Sequence, residues 1–201
     1  MRALRIKTPL SEETVRKISI GDILFLSGVL VTMRDHAHSR LLKLSQKGMY
    51  APVEAKGLAV YHCGPLAKRD GGKWTIIAAG PTTSMRMEAF TSEMFRITGA
   101  RVIIGKGGMG PKTALALKEH GAVYCDFTGG AAVLAAQSVK EVIGVKWLDL
   151  GMPEAVWVLR VENFGPLLVS MDSKGENLRA TFAHSARSSH RGDIALSTLV
   201  S

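Results

Sequence analysis

Cysteine is scarce in this chain: 201 residues hold two, Cys63 and Cys125. Neither belongs to a C-x-x-C pair, which excludes a zinc ribbon, and two thiolates fall short of what an iron–sulfur cluster takes. Both read as buried apolar thiols. Aromatic residues make up 6%, too few for a base-stacking surface. Long apolar runs are missing too. The longest lies near Ile23 to Val31, far short of the roughly 20 residues a membrane helix requires. The N-terminal "MRALRIKTPL" lacks the sustained apolar stretch of a signal peptide. These absences predict a soluble, cytoplasmic protein with no membrane partner. There is no internal repeat and no low-complexity linker.

What is present is ordinary for a globular chain, with 46% hydrophobic and 21% charged residues. A chain of this length buries enough apolar surface to need no disulfide staples. The net charge of +9 is less ordinary. It suits a nucleic-acid binder, an enzyme for small dianions, or a subunit that docks an acidic partner. The charges lie in twos and threes rather than in one basic block. With so few aromatics, that pattern speaks against nucleic acid and for the other two.

The periodicities predict a mixture of elements. "SEETVRKI", Ser11 to Ile18, reads as a short helix capped by Ser11. "ILFLSGVLVTM" reads as a buried strand with a kink or bulge at Gly28. "RDHAHSRLLKLSQKG", Arg34 to Gly48, reads as a helix ended by Gly48. "LAVYHCGP" and "KWTIIAAGP" read as strands joined by the turn "LAKRDGG", and "TTSMRMEAFTSEMFRIT" as a helix. "AVYCDFTGG" reads as a strand and "AAVLAAQSVKEV" as a helix. "EAVWVLRVENFGPLLVSMD" reads as a strand pair turning around Asn163 to Pro166. Early strands cluster and later ones alternate with helices, which predicts one layered α/β domain with a mixed sheet. It spans residues 1–178. Residues 179–201 form a basic, Ser-rich tail, expected to be weakly ordered or a docking arm.

Two segments carry chemistry. In "RVIIGKGGMGPKTALALKEH", Gly105 to Gly110 matches G-x-G-x-x-G between a strand and a helix. Asp126 lies 21 residues beyond Gly105, about where a ribose-binding acid would sit. This supports an NAD(P)-binding module. No second nucleotide-binding half follows, however, and a P-loop fails because Pro111 precedes Lys112-Thr113 where glycine is required. A helix N-terminus with a lysine in the loop suits any anion, a carboxylate included. The other segment is "GPTTSMRMEAF", Gly80 to Phe90. One helix cap explains one hydroxyl but not Arg86, a cation set against the helix dipole and better placed as a carboxylate fork. "TMRDHAH" offers Arg34 at another strand-to-helix junction, where an Arg34–Asp35 surface pair or an N-cap is an equal reading. His36 and His38 do not have the i, i+4 spacing of a metal pair.

Taken in order, "RDHAH", "GPTTSMRMEAF", "GKGGMG", "FTGGAAVLAAQSVKEV" and "WLDLGMPEAVWVLRVENFGPLLVSMDSKGENL" resemble the β subunit of two-subunit class I fumarases and L(+)-tartrate dehydratases. The same unit forms the C-terminal domain of one-chain class I fumarases. The resemblance runs from about Thr8 to Leu178. It implies a swivelling β/β/α domain and a hydro-lyase active site shared between two subunits. It further implies a [4Fe–4S] cluster bound by the partner α subunit, and a heterotetramer, or a self-dimer when the chain is isolated. By motif match, Arg34, Arg86 and Lys106 would bind the dicarboxylate. Thr82 would stand at the acid–base position, with Thr83 assisting by hydrogen bonding. "SMRME" is the form common in the tartrate branch, whereas "YHCGP" and "FTGGAA" look closer to archaeal-type fumarase β chains. The expected reaction is hydration of fumarate to L-malate, with dehydration of L(+)-tartrate to oxaloacetate as the alternative. The glycine loop is then expected to cradle a dicarboxylate rather than a pyrophosphate.

Overall fold

Alternating apolar residues make a strand two-faced, and here both faces of the central strands are covered. The computed structural model describes residues 1–181. Its strands are β1 (Ala3–Lys7), β2 (Ile23–Thr32), β3 (Ala59–Tyr61), β4 (Leu66–Asp70), β5 (Lys73–Ala78), β6 (Val102–Gly105), β7 (Val123–Asp126), β8 (Val139–Lys146) and β9 (Val156–Met171). Its α-helices are α1 (Glu12–Arg16), α2 (Asp35–Gln46), α3 (Thr91–Thr98), α4 (Pro111–His120) and α5 (Ala132–Ser138). A 3₁₀ helix, Ser84–Phe90, leads into α3.

The main sheet runs β1-β2-β3-β6-β7-β9-β8, and β4 and β5 form a separate hairpin. The β1–β2, β2–β3, β3–β6 and β6–β7 pairs are parallel. The long β9 runs antiparallel to β2, β7 and β8, so the pairings from β2 through β3, β6, β7 and β9 return to β2. The sheet is therefore mixed, as the element order predicted.

Side-chain alternation divides the core in two. Tyr61, Val102, Ile104, Val123 and Cys125 face the layer made by β9, β5 and α5. Val60, Ile103 and Tyr124 face α2, α3 and α4. Each fully buried large apolar side chain contributes roughly 1.5–3 kcal/mol. The two layers together hold the parallel strands in one place.

Local predictions fared unevenly. Ser11 caps α1 by accepting from the Thr14 N–H. The β2–β9 register shifts between Leu26 and Gly28, and Gly28 sits at φ +106° with no room for a Cβ beside Thr8. Pro111 opens α4, as its fixed φ favours. Other readings need correction. "LAKRDGG" contains strand β4, so the turn is confined to Gly71-Gly72. "VKEV" leaves the predicted helix at Val139 and becomes β8, because pairing with β9 outweighs local helix propensity. "EAVWVLRVENFGPLLVSMD" is one strand, β9, rather than a pair. The left-handed Asn163 (φ 50°) and Gly165 interrupt β9 without reversing it. Strand β1 lies in the N-terminal stretch, for which no element was predicted. The readings of the tail as weakly ordered or a docking arm concern mostly residues 182–201, outside those described.

Candidate active site

In a parallel sheet the chain leaves each strand at the same end, so side chains just past several strands gather there. Arg34 follows β2, His62 follows β3, Lys106 follows β6, and residues 127–131 follow β7. One further segment joins them. Residues 81–83 wedge between the ends of β3 and β6, through a Cys63–Pro81 bridge on one side and a Thr83–Lys106 bridge on the other. The Thr82 N–H donates to His62 O at 2.7 Å and the Ser84 N–H to Lys106 O at 3.0 Å. The sheet thus places Thr82 and Thr83 at the mouth of its central strands.

All five predicted site residues lie on this edge. Arg86 Nη2 donates to Thr82 Oγ1 at 2.8 Å and to Asp35 Oδ2 at 3.0 Å. Arg34 reaches Glu154 Oε1 at 3.2 Å, with its Nε 3.9 Å from Asp35. The Arg34–Asp35 pair weighed from sequence therefore exists, but Asp35 is shared with Arg86. Lys106 extends toward the loop after β7, where a Cβ on Gly129 would lie 3.6 Å from Nζ. Among the described residues no carboxylate lies within ion-pair distance of Lys106. Arg86 lines an open depression of about 350 Å³ with Met85, Ala89 and Pro111. Lys106 lines another of about 390 Å³ with Thr128 and Leu168. Arg86 and Thr83 are exposed, whereas Arg34 and Lys106 are half-buried.

The hydroxyls do not merely cap a helix. Thr83 occupies the N-cap position of the 3₁₀ helix but makes no side-chain cap bond. Ser84 turns inward, with Oγ 3.0 Å from His62 Nδ1. It fits because residue 105 is glycine; a Cβ there would collide with Ser84 Oγ. His38 Nδ1 lies 2.9 Å from Arg34 O, so that nitrogen carries the proton and Nε2 is left an acceptor. The rings of His38 and His62 meet edge-on at 5.4 Å, both fully buried. Burial lowers the His38 pKa to about 4, against the opposing pull of the Arg34 carbonyl and Asp35. Burial, then His38, then Arg86 hold His62 well below the ordinary histidine range. Both imidazoles are neutral at pH 7.

The glycine loop works differently from its sequence reading. Glu88 accepts from the Gly110 N–H at 3.0 Å, from the Thr113 N–H at 3.1 Å and from the Thr113 hydroxyl. The N-terminus of α4 thus already holds a carboxylate of the chain itself. Asp126 accepts from the Gly108 N–H and the Tyr124 hydroxyl and pairs with Arg179 at 3.0 Å. The two anchors of the dinucleotide reading, the helix N-terminus and the acid, are both engaged internally. Of the loop, Lys106 is what remains directed at the site edge.

Cys63 and Cys125 are buried, and burial pushes both thiols up. Among the described residues no group of three or more His, Cys, Asp or Glu side chains is placed to hold a metal ion. No helix among the described residues is long and apolar enough to cross a membrane.

Sequence reasoning missed His38 as a buried group, and also His62, Ser84, Glu88 as a cap, and Glu154. His62 carried one readable signal, a polar residue closing the apolar run "LAVYH". Glu88 carried another, an acid one helical turn past the hydroxyls.

A fold that gathers basic and hydroxyl groups at the ends of parallel strands defines an α/β enzyme-type site for an anion. Comparison with known proteins gives the family. Residues 1–182 match the family model described as Fumarase C-terminus. The chain is 45% identical over 175 residues to the L(+)-tartrate dehydratase subunit beta of Escherichia coli K12, covering 87% of this chain and 86% of that one. It is 41% identical over 170 residues to a Methanocaldococcus jannaschii protein named "Putative L(+)-tartrate dehydratase subunit beta", covering 84% and 87%. A Geobacillus stearothermophilus protein named "Putative fumarate hydratase class I" is 43% identical over 178 residues, 88% of this chain but 34% of that longer protein. The chain belongs to the Fumarase C-terminus family, as the resemblance in its motifs implied.

Proposed function

We propose that this chain is the β subunit of a two-subunit hydro-lyase that adds water to, or removes it from, a four-carbon dicarboxylate. The observation that carries the reading is the contact between Arg86 Nη2 and Thr82 Oγ1, 2.8 Å, on an edge that also bears Arg34 and Lys106. Residues 1–178 form the domain, of the swivelling β/β/α type. A [4Fe–4S] cluster would be held by the partner α subunit and would supply Lewis-acid chemistry when bound.

This chain's part follows from its own groups. Arg34, Arg86 and Lys106 bring three cationic groups to a substrate with two carboxylates. Asp35 and Glu154 engage the two guanidiniums in the chain by itself, and the planar forks suit exchange to a substrate carboxylate. A threonine hydroxyl is a poor base at its free pKa. A guanidinium donating to Oγ1 stabilises the alkoxide form, since the developing negative oxygen meets a fixed cation. In the dehydration direction Thr82 Oγ1, as the alkoxide, takes the proton from the carbon next to the hydroxyl; the C–H electron pair forms the double bond and the hydroxyl departs as hydroxide. In the hydration direction it returns that proton. Thr83 assists by hydrogen bonding. The open surface around Arg86 is consistent with a site that a partner subunit covers.

Fumarate and L-malate are the first substrate pair. L(+)-tartrate is the second reading, favoured by the match along 86% of the E. coli tartrate dehydratase β subunit. The test is anaerobic co-purification with the cluster-bearing subunit, followed by turnover assays on fumarate and on L(+)-tartrate. Lys106→Ala and Arg86→Ala should each abolish most turnover at unchanged melting temperature. Full turnover in both variants would show that the site lies elsewhere.

A further inference from the structure

The predicted site residues come from separate stretches of chain, and backbone connectivity alone does not fix Thr82 relative to Arg34 or Lys106. Two buried imidazoles stand between these stretches. His62 engages the threonine segment at both ends: its carbonyl accepts the Thr82 N–H at 2.7 Å, and its Nδ1 lies 3.0 Å from Ser84 Oγ. Ser84 in turn donates its N–H to Lys106 O at 3.0 Å. Behind His62, the His38 ring packs edge-on at 5.4 Å and its Nδ1 bonds Arg34 O at 2.9 Å. Gly105 leaves the space that Ser84 occupies.

We propose that His62 is a positioning residue for Thr82: it clamps residues 82–84 through its carbonyl and, by way of Ser84, through its imidazole. His38 backs this clamp and ties it to Arg34. The inference rests on the reading of Thr82 as the acid–base group. A purely space-filling role does not account for the arrangement. Burying an imidazole is costly unless it is hydrogen-bonded, and an apolar side chain would fill the same volume without that cost. Here the single polar contact of the ring is directed at the segment that carries the threonines. A neutral His62 also adds no second positive charge behind Arg86, whose guanidinium is shared between Thr82 Oγ1 and Asp35 Oδ2.

A clamp on the proton-transfer group acts on the chemical step rather than on dicarboxylate binding, which falls to the three cations. The experiment compares Ser84→Ala, His62→Leu, His62→Asn and Thr82→Ala in the assembled two-subunit complex. It uses whichever of fumarate or L(+)-tartrate the wild-type complex turns over. Ser84→Ala and His62→Leu should lower kcat by about 10²-fold, the cost of a misplaced reacting group, with KM unchanged. His62→Asn keeps a polar group within reach of Ser84 Oγ and should recover most of the loss. Thermal melts run alongside, and Ser84→Ala, a one-atom deletion, carries the test if His62→Leu fails to fold. A raised KM at unchanged kcat, or no rescue by His62→Asn, would overturn the proposal. If Thr82→Ala is inactive while Ser84→Ala and His62→Leu turn over normally, the clamp fails and the site reading survives. If Thr82→Ala also turns over normally, the site reading itself fails.

Discussion

His38 and His62 show how burial sets the chemistry of single residues. Asp35 pulls the His38 pKa upward but is outweighed by burial, and both rings are sealed from water. Their folded pKa values therefore fall below the unfolded value near 6.5. Between about pH 6.5 and about pH 4, where the His38 value lies, the unfolded chain binds protons that the folded chain refuses. Stability is thus highest above pH 6.5 and falls on acidification, by up to about 1.4 kcal/mol per pH unit for each histidine. The urea midpoint should drop from pH 7 to pH 5, and His38→Leu should flatten that dependence even if it lowers the midpoint at pH 7. A pH dependence unchanged in His38→Leu would show that other groups govern it. Sequence gave no route to this pair, because burial of a polar ring is decided by strands and helices distant in the chain.

At the scale of elements, α4 shows how a loop motif can mislead. G-x-G-x-x-G followed by a helix fits an anion site, and the structure does put an anion there, but it is Glu88 from the preceding 3₁₀ helix. Removing a partly buried carboxylate that satisfies two backbone donors and a hydroxyl should cost roughly 1–3 kcal/mol. Glu88→Ala is expected to lower the melting temperature, and Glu88→Gln to lose less because the amide oxygen still accepts. A Glu88→Ala variant as stable as wild type would mean that water serves α4 equally well. Elements with strong local signals were legible: the Ser11 cap, the Gly28 irregularity, the Pro111 start. Elements made by pairing were not. Strand β8 follows an alanine-rich helix without a break, and its conformation is set by β9. Strand β9 contains a turn-like "ENFGP", yet β2 pairs with it on both sides of that stretch and keeps it running in one direction.

Over the whole molecule, the mixed layered architecture was legible from element order, and the motifs that mark the family were legible as runs of residues. What the sequence left open was how those motifs meet. The parallel strands bring Arg34, His62 and Lys106 to one edge, and the wedge of residues 81–83 adds the threonines between β3 and β6. That convergence is a property of topology and has no local signature. It also leaves Arg86 and Thr83 exposed at that edge, which suits a site completed by another subunit. The central claim is that Thr82 moves the proton in such a shared site. The most direct test is Thr82→Val in the assembled complex, assayed for both hydration and dehydration with substrate binding measured separately. The account predicts loss of turnover in both directions, with binding and melting temperature retained. Turnover close to wild type from Thr82→Val would contradict it.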